Sequence, residues 1–246
     1  MSHLSSFANP LDALVVGANG GIGRAFIEAL TMDDSVRTVH AWSRHPLAVN
    51  HSKLVPRILD IADEAQLQSA VEKIERLTLV IVATGILHRA DGLSPEKSYK
   101  ALDPAHMMES LHVNVILPAL VAKYTLPRLP RNERTVFCAL SARVGSISDN
   151  RLGGWYSYRA GKAALNQIIK CLSIEMRRTH RDVVCIGLHP GTVDTGLSEP
   201  FQKSLVPDHT LFTPAQSASH LLQVIDKALP EESGSLFAWD GKIIPA

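Results

Sequence analysis

Tyr158 and Lys162 stand four residues apart in the stretch Trp155 to Ala164, WYSYRAGKAA. On a helix that spacing puts both side chains on one face. Helix is the expected state: alanine-rich sequence begins at Ala160, and Leu165, Ile168, Ile169 and Leu172 continue an apolar stripe at three-to-four spacing. A free phenol titrates near about 10. A fixed cation beside it favours phenolate, each unit of downward shift being worth about 1.4 kcal/mol. Such a pair suits giving a proton to, or taking one from, an alcohol or carbonyl oxygen. Taken by itself, Tyr-x-x-x-Lys is more often an exposed tyrosine near a surface lysine. The rest of the chain has to decide.

Leu11 to Val16 is a short apolar run that meets a glycine cluster, LDALVVGANGGIGRAF. Gly17, Gly21 and Gly23 form a G-x-x-x-G-x-G pattern, with Gly20 as an extra. The run has the length of a buried parallel strand, and Ala25 to Leu30 continues as helix. Strand, glycine turn and helix are what a dinucleotide pyrophosphate needs: close backbone approach, free N–H groups and a partial positive charge. A second strand, Val36 to Trp42, ends in Ser43-Arg44 with no carboxylate at its tip. A basic tip accommodates the 2′-phosphate of NADP(H), whereas an acidic one favours the NAD(H) ribose hydroxyl. NADP(H) is therefore the expected cofactor, with NAD(H) possible.

Strands are expected over Lys53 to Leu59, Leu79 to Ala83, Thr135 to Leu140, Val183 to Leu188 and Ser235 to Trp239. Helices are expected over Asp63 to Ile74, Pro104 to Leu126, the Tyr158 segment, and from Thr213-Pro214 to about Leu229 with threonine as N-cap and proline at N1. Gly85 falls at a strand's C-terminal end, where open α/β sheets bind ligands. Asn114 lies inside a helix, either as a surface residue or as a polar group used internally, and Pro118 implies a kink that frees carbonyls beside it. Ser141 sits at the same sheet edge as the glycine turn. His189 to Thr195 is a turn after a strand, and Gly196 to Phe212 reads as a mobile connector or lid. His189 reads as a packed histidine. Arg143 reads as solvated or salt-bridged, within reach of a substrate carboxylate. Trp155, Leu152 and Leu197 suggest an apolar pocket.

Alternating strands and helices imply an α/β fold, a Rossmann-type, doubly wound, mainly parallel sheet of about seven strands with helices on both faces. With 246 residues and no repeat or linker, one domain spans 1–246, its cofactor half about 11–140 and its catalytic half about 141–246. Hydrophobic content of 46% and charged content of 20% are ordinary for a globular chain. A net charge of +1 argues against nucleic acid or a membrane surface as partner. Eleven histidines include no HExxH pair, so no metal site is expected. Cys138, Cys171 and Cys185 each sit in an apolar run and read as reduced core residues. MSHLSSFANP is not a secretory signal, and no apolar run approaches the ~20 residues of a membrane span. A cytoplasmic location is expected.

The ordered set of motifs resembles the classical short-chain dehydrogenase/reductase family over essentially the whole chain. Gly17 to Gly23, including Asn19, Gly20, Gly21 and Ile22, resembles that family's cofactor loop, with Val16 where threonine is common. Asp60, followed by Ile61, matches its adenine-contacting position, and Ala83-Thr84-Gly85 a reduced Asn-Asn-Ala-Gly motif. Asn114, Ser141, Tyr158 and Lys162 match its four catalytic positions. Pro190, Gly191, Thr192, Val193 and Thr195 resemble its nicotinamide-side loop. The SARVGS…GGWYSYRAGKAALN stretch and the closing DGKIIP are most similar to the C-factor-like, or cell–cell signalling, branch.

The resemblance implies hydride transfer between nicotinamide and a small carbonyl or alcohol substrate. Tyr158 would be the acid/base and Lys162 would hold the nicotinamide ribose. Ser141 would bond the substrate oxygen, and Asn114 a proton-relay water. It also implies a homodimer or homotetramer packed through the Asn114 and Tyr158 helices. An extended-family epimerase would need a larger C-terminal domain than the roughly eighty residues after Lys162 allow. A non-catalytic NADP(H)-binding signalling or regulatory protein of the same fold is the alternative.

Overall fold

Along the first strand, β1 (Leu11–Val16), Ala13 and Val15 point into one hydrophobic cluster, while Leu14 and Val16 point into another. The period-two alternation of a strand buried on both faces explains why these stretches are continuous apolar runs. The computed structural model describes residues 4–7, 10–202 and 210–246.

The further strands are β2 (Val36–Ser43), β3 (Leu54–Ile58), β4 (Leu79–Val82), β5 (Thr135–Leu140), β6 (Val183–His189), β7 (Thr192–Val193), β8 (Leu211–Phe212), β9 (Leu236–Ala238) and β10 (Ile243–Ile244). The helices are α1 (Gly21–Thr31), α2 (Glu64–Glu72), α3 (Pro104–Leu111), α4 (Leu117–Thr125), α5 (Tyr156–Met176), α6 (Glu199–Gln202) and α7 (Pro214–Lys227). One eight-stranded sheet has the order β10-β9-β6-β5-β4-β1-β2-β3, and β7 and β8 form a separate pair. All pairings are parallel except β9 with β10. The expected Rossmann-type sheet is thus present, with β10 as the strand beyond seven: the turn at Asp240-Gly241 returns Ile243 and Ile244 to the sheet edge.

β2 and β4 flank β1 on opposite sides, so the strand order reverses there. A crevice opens at such a switch point beyond the carboxyl ends of the strands. One face carries α1, α7 and the N-terminal Leu4 and Phe7; the other carries α2, α4 and α5. Local signals account for the helix starts. Asp63 caps α2 through Ala65 and Gln66, Asp103 caps α3, and Thr213 with Gln216 forms a capping box on α7 behind Pro214.

The single kinked helix expected over Pro104 to Leu126 is instead α3, a π turn at His112–Ile116 and α4, continuing to Arg128. Pro118 has no N–H for the Asn114 carbonyl, and the backbone ahead of it widens into the π turn. By length and composition this 25-residue run would pass for a membrane-crossing helix, contrary to expectation, yet it packs against α2, α5 and β4. Cys138 and Cys185 are buried, but Cys171 is exposed on α5, off the stripe formed by Leu165 and Ile169. The expected connector, Gly196 to Phe212, contains α6 and β8, and its residues 203–209 lie outside the described residues.

Candidate functional site

The C-terminal ends of β1, β4, β5 and β6 gather the predicted residues around two adjoining cavities. The first, about 520 Å³, is lined by Gly17, Asn19, Gly20, Ser43, Arg44, Asp60, Ile61, Ala83, Thr84 and Gly85. A Cβ on Gly23 would collide with the Gly17 carbonyl, so helix α1 starts tight against the turn and only glycine fits there. The Gly20 N-cap makes no side-chain bond, leaving the first α1 N–H groups for a ligand. The Thr84 hydroxyl is buried in this region with no partner among the described residues. Arg44 is exposed and forms no hydrogen bond or ion pair among the described residues, while Ser43 Oγ donates to the His45 carbonyl at 2.6 Å. A glycine cradle, an open helix N-terminus, an unpaired buried hydroxyl and a free guanidinium together fit a dinucleotide phosphate.

The second cavity, about 600 Å³, is lined by Ser141, Tyr158, Ile22 and the turn from His189 to Val193 with Thr195. Its wall includes Leu87, Leu152, Trp155, Leu197 and Phe201, so the three apolar residues expected from sequence do meet, Leu152 remaining 91% exposed at the rim. A Cβ on Gly21 would lie 2.5 Å from Thr195 Cγ2, so the glycine turn and the 190–195 turn face each other across the junction of the cavities. His189 lines the cavity half-buried, and Arg143 is salt-bridged to Asp149 at 3.0 Å.

Lys162 is buried, and its Nζ donates to the Leu140 carbonyl at 2.9 Å, one residue before Ser141. Nζ lies 5.6 Å from the centre of the Tyr158 ring. Burial drives the Lys162 ammonium down to about 7 and pushes the Tyr158 phenol up. The sequence expectation that the lysine holds the phenol below its ordinary range is therefore reversed in the protein alone, because desolvation opposes both charged forms. Asn114 is 0% exposed; its Oδ1 accepts from Ile86 N–H at 3.2 Å and its Nδ2 donates to the Ile86 carbonyl at 2.9 Å. A mid-helix amide thus clamps the strand end beyond Gly85. A Cβ on Gly85 would lie 3.3 Å from Asn114 Oδ1 and 3.6 Å from Lys162 Nζ.

The sequence pattern of short chain dehydrogenases matches residues 12–205. The chain belongs to the short chain dehydrogenase family. The C-signal of Myxococcus xanthus is 34% identical over 144 residues, spanning 58% of this chain and 81% of that protein, consistent with the C-factor-like branch. The 1-hydroxy-2-glutathionyl-2-methyl-3-butene dehydrogenase of a Rhodococcus species is 28% identical, covering 94% of this chain and 97% of its own. Among solved structures, the NADPH-bound carbonyl reductase from chicken fatty liver superposes with a TM-score of 0.83 at 27% identity, covering 98% and 97% of the two chains.

Two side chains of this dehydrogenase's site escaped the sequence reading. Asn166 accepts the Ser141 hydroxyl proton on Oδ1 at 2.6 Å. It stands four residues after Lys162, so a helical-face argument extended by one turn reaches it. Glu96, in an irregular segment, accepts from the backbone N–H of Ser157 at 3.1 Å and from its hydroxyl. No local pattern points to that pairing across 61 positions. Trp155 adopts φ 52°, alone among the described non-glycine residues in the left-handed region, a conformation costing of order 1–3 kcal/mol.

Proposed function

We propose that this oxidoreductase is NADP(H)-dependent and interconverts a small carbonyl compound and its alcohol, with Tyr158 as acid/base. The observation that carries the reading is Tyr158 and Ser141 lining one apolar cavity together with the turn from Pro190 to Thr195, beside the glycine cradle. Gly17, Asn19, Gly20, Gly21, Ile22 and Gly23 would hold the pyrophosphate. Ser43 and Arg44 would hold the 2′-phosphate, Asp60 and Ile61 the adenine, and Ala83, Thr84 and Gly85 the adjoining ribose. The NADPH named for the chicken carbonyl reductase supports this choice. The nicotinamide supplies or accepts the hydride.

Tyr158 gives its proton to the carbonyl oxygen or takes it back from the alcohol. A phenol carries its proton near neutral pH, and burial strengthens that hold. Ser141 positions the substrate oxygen. Lys162, anchored on the Leu140 carbonyl, would hold the nicotinamide ribose hydroxyls, and Asn114 would hold a water that returns protons from solvent. Pro190, Gly191, Thr192, Val193 and Thr195 would hold the carboxamide side. Exposed Met108 and Ile116, together with Ile174 on α5, support a homodimer or homotetramer through the helices bearing Asn114 and Tyr158. The reading carries with it a cytoplasmic site of action.

Titration with NADPH and NADH, followed by nucleotide fluorescence, and then a carbonyl panel tests this. Selective NADPH binding with turnover is the expected result. Binding without turnover of any carbonyl favours a nucleotide-sensing regulator, and binding of neither nucleotide by folded protein defeats the proposal.

A further inference from the structure

Helices α2, α3 and α7 are each capped by the residue at their own N-cap position. Helix α5, which carries Tyr158, is not: its N-cap is Trp155, which has no side-chain oxygen to accept a bond. The missing acceptor arrives from a segment 61 positions upstream. Glu96 is 6% exposed. Its Oε2 accepts the Ser157 N–H at 3.1 Å and its Oε1 accepts the Ser157 hydroxyl. Its backbone carbonyl accepts the Trp155 N–H at 2.6 Å. None of the ion pairs among the described residues involves Glu96. Its partners are the donors and the positive end of α5.

The entry to α5 runs through three left-handed residues, Gly153 (φ 64°), Gly154 (φ 63°) and Trp155 (φ 52°). Glycine adopts that region freely; tryptophan does so only where its surroundings hold it. Here the Glu96 carbonyl ties the Trp155 N–H, and the indole packs 5.1 Å from the Phe201 ring and 6.2 Å from the Tyr158 ring. The same upstream segment contributes Leu87 to the wall of the substrate cavity, and His88 Nε2 meets the Gly196 carbonyl at 2.8 Å. Glu96 therefore holds the start of the helix that aims the phenol twice over: its carboxylate takes the Ser157 donors, and its main-chain carbonyl takes the N–H of Trp155 in the cavity wall.

We propose that Glu96 is a positioning residue for the reaction. It fixes the first turn of α5, and with it both the reach of Tyr158 and the angle of the Trp155 wall, without touching substrate. The inference rests on the reading of Tyr158 as acid/base for its kinetic consequences, but not for the placement of Trp155.

The test compares Glu96→Ala, Glu96→Gln and Ser157→Ala with the unaltered protein. It uses kcat, KM for a bulky aromatic and a small aliphatic carbonyl, NADPH affinity, and acrylamide quenching of the Trp155 emission, assigned by difference against Trp155→Phe. Glu96→Ala is expected to lower kcat about ten- to a hundredfold, the scale of a misplaced reacting group. It should raise KM for the aromatic substrate more than for the aliphatic one, expose Trp155 to quenching and leave NADPH affinity within about twofold. Glu96→Gln keeps an accepting oxygen and should recover most of kcat. Folded Glu96→Ala with unaltered kcat, KM and quenching overturns the proposal, even if its thermal midpoint falls, since the role is then stability alone. Should Glu96→Ala not fold, Ser157→Ala, which removes the hydroxyl that Glu96 accepts from, decides by the same readouts. If the unaltered protein reduces no carbonyl, the functional reading fails on its own, and unchanged Trp155 quenching still overturns the positioning role.

Discussion

Ser141 Oγ donates to Asn166 Oδ1 at 2.6 Å, so the one proton of the serine hydroxyl is already directed within the protein. A hydroxyl has a single proton and two lone pairs, so to hold a carbonyl oxygen it must turn that proton from Asn166 into the cavity. Asn166 on α5 therefore sets the direction of Ser141 at the end of β5, as Lys162 one turn earlier sets the level of the preceding carbonyl. Asn166→Leu removes this competing acceptor and should raise kcat/KM for a carbonyl about tenfold, the worth of one hydrogen bond, with NADPH affinity unchanged. Steady-state kinetics at saturating NADPH measure this, and unaltered kcat/KM would show that the serine orientation is not used.

Tyr158→Phe removes the transferable proton while keeping the ring that packs against Trp155. Turnover should fall by about 10²–10⁴, the contribution of a positioned acid–base group, with nucleotide binding retained. Comparing single-turnover rates with nucleotide fluorescence separates the two. Retained turnover would remove Tyr158 from the chemistry.

Arg44 stands at the end of β2 beside the first cavity with no ion pair of its own among the described residues. Arg44→Asp should weaken NADPH by about ten- to a hundredfold, the value of a charge-assisted bond, and leave NADH nearly unaffected. Equal losses for both nucleotides would sink the assignment of the 2′-phosphate.

Stability in the absence of nucleotide should depend on pH through Lys162. Its ammonium, ordinarily near 10.5, is driven by burial to about 7. Between those values the unfolded chain binds more protons than the folded one, so stability rises with pH across that window and the penalty is complete below about 7. Lys162→Met removes the penalty. Its advantage over the unaltered protein should be largest below pH 7 and shrink towards pH 10, by at most about 1.4 kcal/mol per pH unit. Tyr158 acts with the opposite sense at the alkaline end: burial raises its phenol, so stability falls as pH climbs past its ordinary value. Urea unfolding at a series of pH values tests both. A pH-independent difference between Lys162→Met and the unaltered protein would contradict the burial argument.

Sequence by itself determined the alternation of strands and helices, because a strand buried on both faces must be apolar throughout and Asp63 and Thr213 carry their caps locally. It also determined the glycine turn, since Gly23 presses on the Gly17 carbonyl six residues away, and it set Tyr158 beside Lys162 through helical periodicity alone. These are short-range relations, spanning a few residues of chain. Tertiary structure decided the rest. It placed a π turn ahead of Pro118 and made Asn114 a clamp on Ile86, a contact across 28 positions. It raised the Tyr158 phenol and lowered the Lys162 ammonium through burial, which is a property of the packed whole and not of the spacing between the two residues. It brought Glu96 to the start of α5, a pairing that no local periodicity encodes, because the two segments meet only in the folded chain.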